Sequence, residues 1–118
     1  MPVSTINHKN REILYVDFSN LKKKDPVMDT LNDWVKAYKE SEKEIYLLLD
    51  VRDAFNDPEV MEKMKHYGKT VFKGKSRKRA VVGIKGAKKL LLRGYKLFTN
   101  TDISTFDTVE EAKEYLAS

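Results

Sequence analysis

Apolar residues fall into two alternating kinds of block along this chain. Glu12 to Phe18 reads Glu-Ile-Leu-Tyr-Val-Asp-Phe, and Glu44 to Val51 contains Ile-Tyr-Leu-Leu-Leu. Runs this continuous, rich in β-branched and aromatic residues, predict strands covered on both faces. Ala80 to Ile84 predicts a shorter third strand bounded by Gly83 and Gly86, and Ile103 to Phe106 a brief fourth. Val3 to Asn7 alternates, and the polar turn at His8, Lys9 and Asn10 leads it as a hairpin into the strand that follows.

Between these blocks the apolar period lengthens to that of a helix. Asp25-Pro26 opens the first helix, an acceptor side chain before a residue suited to the first helical position. Met28, Leu31, Val35 and Tyr38 mark its inner face with Trp34 beside them, opposite Asp29, Asp33, Lys36 and Lys39. Asp57-Pro58 opens the second; Val60, Met64, Tyr67 or Gly68, and Val71 trace one face, flanked by Met61 and Phe72. A glycine costs roughly 1 kcal/mol in a helix interior, so Gly68 is expected to weaken or bend it. The third helix carries Ala87, Leu90, Leu91 and Phe98 inward and Lys85, Lys88, Lys89, Arg93 and Lys96 outward. Asp107 and Glu110 predict a capping box for a last helix with Val109, Ala112, Tyr115 and Leu116 inward.

Strands alternating with single helices require crossovers and hence parallel pairing. The predicted fold is α/β: one three-layer domain over residues 1–118, with a mostly parallel four- to five-stranded sheet, an antiparallel N-terminal edge and helices on both faces. No Gly/Ser linker divides the chain. With no cysteine, disulfides, thiolate metal sites and cysteine nucleophiles are excluded. Residues 1–10 lack an apolar signal core and no apolar run approaches a membrane span, so the expected location is cytoplasmic, with peripheral membrane contact left open.

Charge changes the picture more than composition does. Lys63 to Lys96 holds 13 of the 23 lysines and arginines and none of the 18 acids. The chain is therefore bipolar, its net +5 hiding an acidic remainder.

Four blocks, Glu-Ile-Leu-Tyr-Val-Asp-Phe (12–18), Ile-Tyr-Leu-Leu-Leu-Asp-Val (45–51), Arg-Ala-Val-Val-Gly-Ile-Lys-Gly (79–86) and Thr-Phe-Asp-Thr-Val-Glu-Glu-Ala-Lys-Glu-Tyr-Leu (105–116), carry a resemblance. In their order and spacing, over residues 3–117, the chain resembles the SpoIIAA-like family, whose fold is shared with STAS domains and related to the CRAL-TRIO lipid-binding domains. The resemblance implies a small non-catalytic module that docks to a protein, a lipid surface or a small ligand. Its STAS relatives among anti-sigma factor antagonists carry a phosphorylated serine in the loop after the second buried strand. Here that loop, residues 50–57, contains no Ser or Thr, so the phosphoswitch does not carry over.

Asp17, Asp50 and Asp53 fall near strand ends, where a carboxylate cluster would hold Mg²⁺ in a response-regulator receiver. Position 18 is Phe, Gly83 and Ile84 end the third strand, and no Lys-Pro follows, so these acids are expected to cap loops or pair with basic side chains. Gly83 to Lys89 places two glycines and three lysines at a strand-to-helix junction, either an anion site or a plain turn. It lacks the spacing of a phosphate-binding Walker loop. His8 and His66 have no metal-ligand spacing, and Ser19, Ser41, Ser76, Thr99 and Thr101 read as turn residues. No catalytic group, metal or cofactor is expected.

The basic stretch admits four readings. It docks on an anionic bilayer or small amphipathic anion through Lys73, Lys75, Arg77, Lys85, Lys88, Lys89 and Arg93, with Met61, Met64, Gly68, Phe72 and Leu92 forming a ligand cleft and Gly68 its hinge. It meets an acidic protein, including a second copy offering Asp29, Asp33, Glu40 and Glu42. It binds nucleic acid, which is disfavoured because Tyr67, Phe72, Tyr95 and Phe98 sit at core spacing rather than free to stack on bases. Or it is only the solvated face of two helices. A non-enzymatic binding module of the first kind is the favoured reading, with a regulatory protein-interaction module as the alternative.

Overall fold

The computed structural model of the protein describes residues 2–54 and 57–118. Strand β1 (Val3–His8) pairs antiparallel with β2 (Arg11–Asp17) through a turn in which Lys9 and Asn10 both have positive φ, the geometry that matches the twist of the strands it joins. The chain then alternates α1 (Lys24–Glu40), β3 (Ile45–Asp50), α2 (Pro58–Thr70), β4 (Ser76–Val82), α3 (Ala87–Thr99), β5 (Ser104–Phe106) and α4 (Val109–Ala117). The sheet is mixed: β2 to β5 are parallel and the spatial order is β1-β2-β3-β4-β5.

That order decides where the helices lie. Right-handed crossovers between successive neighbours place every connecting helix on the same face. Accordingly α1 and α2 pack Val27, Leu31, Trp34, Tyr38 and Val60 against Val16, Ile45 and Leu47. Helix α4 alone covers the other face, where Ala112 and Leu116 meet Ile13, Leu48, Ala80 and Val82. The Lys78 ammonium ties down its end, donating to the carbonyls of Tyr115 and Ser118.

Caps fall close to their predicted places. Asp57 accepts from the N–H groups of Glu59 and Val60, with Pro58 first in the helix. At α4 the cap is Thr108, accepting from the Glu111 N–H, one residue beyond the predicted Asp107–Glu110 pair and at the same spacing. Helix α1 departs from this: it starts at Lys24 without a side-chain cap, so Asp25, expected as the capping acceptor, is instead a first-turn acid favourable to the helix dipole.

Two further expectations are corrected. Strand β4 spans Ser76–Val82, starting four residues ahead of the predicted Ala80 and ending before Ile84. Strand β5 pairs only with residues 80–82, so the first half of β4 keeps an open side that long basic side chains can cover. Helix α3 turns a different face inward: Leu91, Leu92, Tyr95 and Thr99 point into the domain, while Leu90 is 68%, Leu97 79% and Phe98 49% exposed. The helix is apolar on two sides, and Lys88 and Lys96, expected outside, reach inward to the carbonyls of Val51 and Ile103.

Candidate functional site

Between the sheet and its three covering helices lies a predominantly apolar cavity of about 110 Å³. One water needs only ~10–15 Å³, so the space is several times larger than a single buried water requires. Its floor is Leu47, Leu49 and Val51 of the β3 segment with Val81 of β4. At ~3.3 Å per residue the floor runs roughly 13 Å along β3. Helix α2 supplies Val60, Met61 and Met64, helix α3 supplies Leu91, Leu92 and Tyr95, and α1 contributes Trp34 and Tyr38. Trp34, the only tryptophan, stacks on Phe72 with ring centroids 4.3 Å apart.

Of the cleft residues read from the sequence, Met61, Met64, Phe72 and Leu92 line this space. Gly68 sits behind it, where α2 and α3 touch. A Cβ there would lie 2.6 Å from Thr99 Cγ2 and 2.7 Å from the Tyr95 hydroxyl, so a close helix approach accounts for the glycine. The helix continues unbroken through it to Thr70.

The seven basic residues do not form one patch. Lys73, Lys75 and Arg77 lie at the start of β4; Lys85, Lys88, Lys89 and Arg93 lie beyond its end, roughly 20 Å away at the rise of a strand. Lys75 donates to the Tyr38 carbonyl and Arg77 is 3.9 Å from Glu44. Lys73, Lys85, Lys89 and Arg93 are exposed. Lys88 lines the cavity with its ammonium 2.7 Å from the Val51 carbonyl, and burial lowers its pKa. The acids Asp29, Asp33, Glu40 and Glu42 are exposed on or just after α1. Phe55 and Asn56, inside the loop that a protein-docking reading would use, lie outside the described residues.

The strand-end acids are committed elsewhere. Asp17 accepts from the Ser19 N–H, closing a turn. Asp50, fully buried on the α4 side of the sheet, accepts from the Tyr15 hydroxyl and from both the side chain and the backbone of Arg52. Burial alone would raise its pKa; the Arg52 bonds and the Tyr15 hydroxyl outweigh that and hold it below the ordinary carboxylate range. Among the described residues no group of three acids or histidines is placed to hold a metal.

Sequence reasoning left out the polar lining. Trp34, Tyr38 and Tyr95 read as core and Arg79 as one more cation of the basic stretch, yet all four line the cavity. Their signal was present: polar-tipped aromatics on inward helix faces need partners, and Arg79 shares the strand parity of Val81.

Outside, Leu90, Leu97 and Phe98 of α3 form an apolar stripe flanked by cations, with the Lys69 ammonium 3.9 Å from the centre of the Phe98 ring. No described helix is long and apolar enough to cross a membrane. No protein family, curated protein or solved structure matches the chain.

Proposed function

We propose that the protein is a non-enzymatic binding module of the SpoIIAA-like kind that takes up a small amphipathic anion beneath α3. The observation that carries this reading is the apolar cavity with a cation toward each end, Lys88 beyond the C-terminal end of β4 and Arg79 within it. A pocket lined by apolar groups with a few convergent polar ones is the usual form of a small-molecule site. The probe is 1-anilinonaphthalene-8-sulfonate, an apolar ring system bearing one negative charge. Saturable one-to-one binding to the folded chain is expected, and Val81→Phe, which fills the floor, is expected to weaken it at least tenfold. Absence of saturable binding, or binding indifferent to Val81→Phe, would overturn the reading.

A second reading has its own support in the exposed stripe on α3. Leu90, Leu97 and Phe98, flanked by Lys65, Lys69, Lys89 and Arg93, have the form of a helix lying on an anionic bilayer. Each basic residue near such a surface contributes about 1 kcal/mol. Co-sedimentation with vesicles containing phosphatidylserine is expected, weakening with salt and with Leu97→Gln; equal recovery on neutral vesicles would sink this reading. A bilayer would then also be where the ligand is met. The alternative of a regulatory protein-interaction module predicts a partner indifferent to loss of Lys88, Lys89 and Arg93.

A further inference from the structure

The lining of the cavity changes character from one end to the other. Toward Val51 and Met61 it is apolar, Phe18 included, apart from Lys88 and Asp57; toward the start of β4 it gathers Trp34, Tyr38, Ser76, Arg79 and Tyr95.

These five groups are strong in donors and short of acceptors. The Tyr38 hydroxyl lies 2.7 Å from the Ser76 hydroxyl. The Trp34 indole N–H lies near enough to the Tyr38 oxygen to favour its ionisation, yet it makes no hydrogen bond of proper geometry, and Trp34 is only 3% exposed. A buried donor without an acceptor costs free energy that a ligand oxygen would restore. Tyr95 lines the same space with its hydroxyl at the cavity's edge against Gly68, close enough to Tyr38 and Arg79 to feel both, and it makes no hydrogen bond to a described residue. Arg79 donates to the backbone carbonyls of Asp102, at 3.0 Å, and Ser76, at 3.5 Å, and no described carboxylate lies within ion-pair distance of it. Its positive charge is therefore not neutralised by the protein, and both Tyr38 and Tyr95 feel it. Burial pushes each of these phenols up to about 12, so both remain protonated and able to donate at neutral pH.

We propose that this end of the cavity is a carboxylate site, in which Arg79, Trp34, Tyr38 and Tyr95 hold the head of a medium-chain monocarboxylate while its tail runs over Leu47, Leu49 and Val81 toward Val51. The inference rests on the reading of the cavity as a site for an amphipathic anion and adds which end receives the charge and what group carries it. One guanidinium suits a singly charged head, and a planar carboxylate can take it side-on while its remaining lone pairs accept from the indole and the phenols. Lys88 is less suited to the head because an ammonium is a point donor without the planar fork by which a guanidinium takes a carboxylate side-on.

Trp34 makes the test direct, since the chain has no other tryptophan and this one touches both the apolar wall and the donor cluster. Decanoate is titrated into the full chain with Trp34 emission as the readout, beside decanol, which has the same tail without the charge, and decyl phosphate, which has a different head. Decanoate is expected to bind at least roughly tenfold more tightly than either, the scale of one hydrogen bond to a charged group. Arg79→Gln and Tyr95→Phe are each expected to weaken decanoate by roughly tenfold and to leave decanol unchanged, while Lys88→Gln has little effect. Tyr95→Phe removes only a hydroxyl with no partner in the described protein, so it remains decisive if Arg79→Gln loosens the fold. Decanoate binding that survives Arg79→Gln and Tyr95→Phe but falls with Lys88→Gln overturns this inference and leaves the cavity reading standing. Equal affinity for decanoate and decanol, or tighter binding of decyl phosphate, overturns the carboxylate assignment. No response to any of the three, together with no binding of the naphthalene sulfonate, removes the cavity reading itself.

Discussion

Gly83→Ala is expected to destabilise the domain by roughly 2–5 kcal/mol, from a backbone cost of ~1–2 kcal/mol and an overpacking cost of ~1–3 kcal/mol. Gly83 follows β4 with φ at +96°, a conformation that residues with a Cβ rarely adopt. A Cβ there would lie 2.6 Å from Arg52 Cγ, 2.7 Å from Arg52 N and 2.8 Å from Arg52 Cα. Two of these atoms are backbone, and the segment cannot easily retreat: the Val51 N–H donates to the Val82 carbonyl at 2.9 Å, and the Arg52 carbonyl accepts from Asn20 at 2.9 Å. Gly86 supplies the control. It too has positive φ, +57°, but a Cβ there would meet nothing within 4 Å. Gly86→Ala should show the backbone cost alone. Urea midpoints for the two variants separate the contributions; equal losses would mean that the approach to Arg52 carries no energy of its own.

The second large effect is expected at Asp50. Asp50→Ala leaves the Tyr15 hydroxyl without its acceptor and the Arg52 guanidinium without its carboxylate. An unpartnered buried polar group costs ~1–3 kcal/mol. The Arg52 side chain is 49% exposed and can turn to water, so the ion pair adds less than a fully buried one would. A total of roughly 2–3 kcal/mol follows. The pH dependence carries a definite sign. Because the folded-state pKa of Asp50 is depressed, its contribution is fully present above the ordinary aspartate value near pH 4 and is lost as the pH falls through the folded value. Wild type and Asp50→Asn should therefore differ most near neutrality, and the gap between their urea midpoints should close below about pH 4. A gap that widened with acid would overturn this account of Asp50.

Both of these residues belong to the scaffold, which was the more legible part of the sequence. Strands β2 and β3 are covered on both sides and so carry unbroken apolar runs, and the Asp57-Pro58 pair marks a helix start by its chemistry alone. Legibility failed where one residue type serves two ends. Ser76 to Arg79 falls outside the predicted strand because its charges are visible and its pairing with β3 is not. Helix α3 has leucines at 90, 91 and 92, so no period selects its buried side until Lys88 and Lys96 find carbonyls to reach. The cavity was half legible for a similar reason. Methionines at helical spacing announce an apolar wall, whereas an empty space between well-packed layers has no local pattern. Trp34, Tyr38 and Tyr95 would be core residues in either case, and the unmatched donors of Trp34 and Tyr95 are what a sequence pattern does not reveal.

The sequential order of the sheet also shapes how the chain can fold. Each strand pairs with its neighbour in the chain, but only the N-terminal hairpin closes locally; the three parallel ladders each close over a helical crossover of about 24–33 residues, a loop cost met before the pairing rewards it. Helix α4 is the exception. Its Glu114 pairs with His8 and Lys9 at the tip of that hairpin, which joins the last element of the chain to the first two across the sheet.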